Sequence, residues 1–132
     1  KSIEIRKTLT DEWEERGIKE TSEFAILTDD ITLAWAGLNT KQYKRFKGLK
    51  KENLRDNMTN LELVLNMLAE TATTEISQKR KPETFPENRK VAKEGGTIAG
   101  NARKQIERKT GKKVVTRQNY FSLKEQRKLK AR

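Results

Sequence analysis

The chain of 132 residues contains no cysteine and no histidine. Without cysteine there is no disulfide framework and no thiolate chemistry, which suits a reducing compartment, and we expect a cytoplasmic protein. Without histidine the chain lacks the commonest general base and the commonest metal ligand together. Long apolar runs are missing too. None approaches the ~18 residues of a membrane span, and no signal-peptide core is present. Hydrophobic residues make up 33% of the chain and charged residues 37%, which leaves room for one domain with a modest core.

Acid is scarce in one half only. Residues 1–78 carry 12 Lys/Arg against 14 Asp/Glu, whereas residues 79–132 carry 18 against 5. A field of one sign over one half attracts an opposite surface at long range. The chain starts at Lys1 with a helical pattern already running by Ile3 and Ile5, so we read it as the later part of a longer protein, or a trimmed piece of one.

The apolar pattern predicts an all-α fold, a bundle of four to five helices with a basic, loop-like C-terminal segment. Ile5, Leu9 and Trp13 mark a first helix that Gly17 can end, with Ile18 as the apolar contact beyond it. Thr21 or Ser22 caps a second, whose apolar positions run from Phe24 to Leu38. A short third spans Thr40 to Phe46 and stops at Gly48, amid a first basic cluster of Lys41, Lys44, Arg45, Lys47, Lys50, Lys51 and Arg55. Thr59 and Glu62 form a capping box ahead of a helix through Ile76. That helix is apolar nearly all round, which places it at the centre of the bundle.

Pro82 and Pro86 bracket the next break. A helix from Pro86 to Thr110 then ends at Gly111, packing through Val91, Ile98, Ala102 and Ile106, and Lys112–Val115 reads as a short strand-like piece. We therefore expect one domain in three parts. Residues 1–81 form an acidic-to-neutral core, 82–121 a basic helix and following segment packed on it, and 122–132 a charged tail that is a candidate for disorder.

The run Glu-Gly-Gly-Thr-Ile-Ala-Gly, residues 94–100, invites a nucleotide-binding reading. Gly95 to Gly100 fits the first six positions of a P-loop, but Asn101-Ala102 follows where Lys-Ser or Lys-Thr is required, and no strand precedes it. Packing explains the glycines better. Ala92, Gly96 and Gly100 recur every four residues, so they line one helix edge and admit a close backbone neighbour. A kink at Gly95-Gly96 is the other outcome that mid-helix glycine permits.

On the opposite face stand Lys90, Lys93, Lys104 and Arg108. Lys109, Lys112, Lys113 and Arg117 continue the charge past the helix end, and Tyr120 offers a ring for base stacking. These nine residues are the candidate nucleic-acid contacts, through phosphate neutralisation with counterion release. The bland reading of the same charges is a solvated helix face. No catalytic residue, metal site or cofactor site emerges. Asp29 and Asp30 sit about 100° apart on a helix and do not converge on one ion, and Trp13 and Trp35 lie in core stripes.

Two runs, residues 46–76 and 92–121, resemble the C-terminal region of bacterial and phage proteins that carry an N-terminal BRO domain. Leu54-Arg55-Asp56-Asn57-Met58-Thr59 with Leu61-Glu62-Leu63, and Glu94-Gly95-Gly96-Thr97-Ile98-Ala99-Gly100 with Arg103, carry the resemblance. These proteins include phage antirepressor-like proteins and the DNA-damage-inducible protein D type. Residues 9–31 are similar as well. In that family the BRO domain, absent here, binds DNA. The resemblance implies a non-catalytic accessory domain in phage or DNA-damage regulation, with a recombinase on single-stranded DNA as one candidate partner.

The expected partner is nucleic acid, single- or double-stranded DNA, or a DNA-bound protein, and not a membrane. The alternative is a protein-interaction or homo-oligomerisation module that docks through the Ala92/Gly96/Gly100 edge.

Overall fold

The computed structural model describes the backbone of residues 1–131 and the side chains of residues 1–125. Within these residues six α-helices follow in order: α1 (Ser2–Glu15), α2 (Thr21–Ala36), α3 (Thr40–Phe46), α4 (Asn60–Arg80), α5 (Phe85–Thr110) and α6 (Tyr120–Ala131). A single 3-10 turn, Arg55–Asn57, precedes α4, and no strand occurs among the described residues. The fold is an all-α bundle. Lys112–Val115 is irregular rather than strand-like, and α6 covers most of the charged tail.

The helix ends follow from local chemistry. After α1, Gly17 adopts a positive φ of 92°, which lets its amide reach Glu14 O at 3.0 Å and the Ile18 amide reach Trp13 O at 2.9 Å. That paired closure brings Ile18 back onto the core. No side chain caps α2: Glu20, not Thr21 or Ser22, holds the N-cap position. Reciprocal capping boxes start α3 (Asn39 with Gln42) and α4 (Thr59 with Glu62). Thr84 caps α5 through the Glu87 amide, and Gly111 ends it with φ 71°.

The core gathers Leu9, Trp13, Leu27, Ile31, Trp35 and Tyr43 with small residues of α4 and α5. α5 lies along both α2 and α4, while α1 packs on α4. The glycines set the closeness of these contacts. A Cβ on Gly95 would stand 2.0 Å from Thr73 Oγ1, one on Gly96 2.6 Å from Ile31 O, and one on Gly100 2.5 Å from Ala34 O. α5 runs unbroken as one helix across Gly95-Gly96.

The buried stripe on α5 is therefore centred on small residues. Ile98, expected inside, is 45% exposed, while Ala102 and Ile106 sit at the margin. The Ala92/Gly96/Gly100 edge is filled by α2 of the same chain, so it offers no groove to a second one.

α4 departs furthest from its apolar pattern. Leu61, Val64 and Leu68 form one exposed stripe, and the buried side carries Glu62, Asn66, Glu70, Thr73 and Ser77. Positions 62, 66, 70, 73 and 77 share one face by helical period. Each side chain has at least one polar partner, Thr73 through the Ala69 carbonyl of its own helix, although Glu70 Oε1 is left without one among the described residues. Asn66 accepts from Trp35 Nε1 at 3.1 Å and Ser77 donates to Glu12 at 2.6 Å. Glu70 takes Arg55 at 2.7 Å and Arg6 at 3.3 Å.

Candidate nucleic-acid interface

The second half of the chain divides its cations between the fold and the solvent. Among the described residues of this half three arginines donate hydrogen bonds into the fold. Arg89 makes a two-pronged contact with Asp30, at 2.9 and 3.1 Å, which holds its guanidinium above the ordinary range. Arg103 donates to Trp35 O at 2.7 Å and to Glu107 at 2.9 Å. Arg80 pairs with Glu94.

Lys90, Lys93, Lys104 and Arg108, by contrast, are exposed and form no ion pair with a described residue. At 100° per residue these four fall within an arc of about 60°, and they span about 27 Å of helix. Thr97 and Asn101 lie between them on the same face.

Arg108 and Lys109 occupy the last turn of α5, where positive charge also complements the exposed carbonyls of the helix end. Beyond Gly111 the chain is irregular but tied down. Val114 is buried in the core, and its amide donates to Glu107 Oε2 at 3.1 Å. Burial alone would raise the Glu107 carboxyl. The Val114 amide and Arg103 outweigh it and hold the group below the usual carboxylate range.

Lys47 then fastens the next residues. Its ammonium donates to Thr116 O at 2.9 Å and to Gln118 O, and Asn119 Nδ2 returns a bond to Lys47 O at 2.9 Å. Lys47 is thus buried, not a member of the surface cluster to which its neighbours belong. Sequence period gave no hint of this, since the residues it holds lie about 70 positions on.

Lys112 and Lys113 stand exposed at the start of this anchored segment. Arg117 lies over the Phe46 ring, 4.6 Å from its centre, and remains accessible. Asn119 and Ser122 cap α6 reciprocally, an Asn-x-x-Ser signal readable in the sequence. The Tyr120 amide donates to Asn57 Oδ1 at 2.7 Å, while its ring stands against Phe121 with both exposed to solvent.

The nine candidate residues are therefore all accessible. Four share one helix face, four follow at its C-terminal end, and the aromatic pair opens α6. Asp29 and Asp30 serve structure and point to different partners, since Asp29 accepts from the Thr40 amide and Asp30 from Arg89. Among the described residues no helix is long and apolar enough to cross a membrane.

Among curated proteins and among solved structures, no match to the chain is found. A family model does match. It is described as the DinD C-terminal domain, and it covers residues 2–118. The match includes α1 to α5 and the anchored segment up to Gln118, and it agrees with the resemblance to DNA-damage-inducible proteins carried by residues 46–76 and 92–121. The chain belongs to the DinD C-terminal domain family.

Proposed function

We propose that this DinD C-terminal domain is a non-catalytic accessory domain that contacts nucleic acid without sequence preference, through the solvent face of α5 and the segment after it. The observation that carries the reading is the row Lys90, Lys93, Lys104 and Arg108, unpaired with any described acid on a helix whose other side is locked into the bundle. Lysines on a rigid helix neutralise phosphates and release counterions, and such contacts position a protein without reading bases. Tyr120 and Phe121, exposed beside the anchored segment, supply ring faces on which unpaired bases can stack.

The test is a titration of labelled single- and double-stranded oligonucleotides at two salt concentrations. Binding that weakens steeply with salt and ignores sequence supports the reading. Absence of binding at low salt removes it.

A protein-interaction role is the second reading. The exposed stripe Leu61, Val64 and Leu68 on α4 favours it, since the glycine edge of α5 is already occupied. Val64→Asp then abolishes self-association in sedimentation while leaving the fold intact.

A further inference from the structure

The cations of the opening half are not part of the α5 face. Lys41, Lys44 and Arg45 project from α3 and Lys50 follows it, and none of the four pairs with a described acid. They border a cleft of about 760 Å³ between α3 and the first half of α2. Thr21, Phe24, Ala25, Thr28 and Asp29 form its α2 wall, at steps of three and four that keep them on one helix face. Leu49 adds a further apolar surface, and Arg6 of α1 joins the lining. Arg6 is fixed in place by Glu70, by Thr28 Oγ1 at 2.6 Å, and by the Trp13 ring 5.3 Å away.

We propose that this cleft takes an acidic peptide segment of a partner protein. An apolar side chain of that segment seats on Phe24, Ala25 and Leu49, and its carboxylates meet Lys41, Lys44, Arg45 and Lys50. Charge complementarity selects an anion, because the cleft's one unpaired acid, Asp29, is outnumbered by these cations. The apolar lining selects a ligand with a hydrophobic anchor, since a bare anion gains nothing from it.

The same lining argues against a stacked base. Phe24 is half-buried with its ring against Trp13, 6.0 Å between centres, and Ala25 and Leu49 present no aromatic face. The Asp29 carboxylate, already holding the Thr40 amide at 3.0 Å, can accept a peptide N–H, a donor that a phosphodiester backbone lacks.

Fluorescence anisotropy with the whole chain tests the assignment, using a labelled peptide of aspartates and glutamates that ends in Leu-Phe. The expected result is saturable binding that weakens about tenfold with Lys41→Glu plus Arg45→Glu, and by a similar factor when Ser-Ser replaces Leu-Phe in the peptide. Ala25→Trp, at an exposed position, fills the cleft and weakens binding with an unchanged circular dichroism spectrum. Lys104→Ala with Arg108→Ala leaves the affinity where it was. No saturation by about 1 mM peptide overturns the proposal, as does indifference to the Lys41 and Arg45 substitutions. An oligothymidylate of equal charge that binds more tightly, and is lost with the same two substitutions, also overturns it and gives the cleft to nucleic acid.

Discussion

The Lys47 ammonium lies 2.7 Å from the Glu62 carboxylate, with both side chains wholly out of solvent. Glu62 also accepts from the Thr59 amide at 2.9 Å, closing the α4 capping box, and from the Tyr43 phenol. Burial first, and then the Glu62 charge, hold that phenol protonated far above its ordinary range. With Thr116 O and Gln118 O the ammonium has an acceptor for each proton. One ion pair thus joins α3, the start of α4 and the segment that carries Lys112, Lys113 and Arg117.

Removing one partner leaves the other charged and buried. Lys47→Ala should cost about 3–5 kcal/mol in urea denaturation, and Lys47→Met with Glu62→Gln should recover much of that loss. Amide exchange at residues 116–119 should rise in the single variant, because its anchor is gone. A cost no larger than an exposed pair's, about 1 kcal/mol or less, would show the pair is not buried as described.

Gly100→Ala sets two effects against each other. Helix propensity alone favours alanine by about 1 kcal/mol. The new methyl, however, would lie 2.5 Å from the Ala34 carbonyl oxygen, a backbone atom that cannot step aside without moving α2. Overpacking typically costs about 1–3 kcal/mol, so the contact wins and the melting temperature should fall. A rise in melting temperature would mean that α2 and α5 are further apart.

Glu107 links stability to pH. Its folded carboxyl titrates below the ordinary range, so the unfolded chain takes up the proton first as pH falls. The contribution is whole above the ordinary carboxylate value of about 4.3 and is lost as pH drops through the lower folded value. Chemical denaturation between neutral and acid pH should show this slope, and Glu107→Gln should reduce it.

The two faces of α4 should respond oppositely to their chemistry. Leu68→Gln, on the exposed stripe, should change stability by no more than about 0.5 kcal/mol. Leu65→Ala, buried one turn away, should cost about 2–5 kcal/mol. Equal costs at both positions would restore α4 as a helix enclosed on all sides.

Local signals read well from the sequence. Thr59 with Glu62, Gly111 after α5, and the two prolines mark boundaries that neighbouring residues decide, and the structure honours them. The all-α fold and the common solvent face of Lys90, Lys93, Lys104 and Arg108 follow from helical period alone. The buried face of α4 does not, because its polar residues earn burial through distant partners. Arg6 is 64 positions from Glu70, and Glu12 is 65 from Ser77. Lys47 was hidden for the same reason, reading as one more lysine in a basic cluster while its acceptors lie 69 and 71 positions on.

The proposed interface rests on whether the free α5 cations meet phosphate. The most direct measurement is the slope of log K against log salt for duplex DNA, compared between the unaltered chain and a variant with Lys90, Lys93, Lys104 and Arg108 changed to alanine. Each lost phosphate contact should flatten the slope by about 0.9, with helical content unchanged. A slope the same in both proteins would contradict the assignment of this face to nucleic acid.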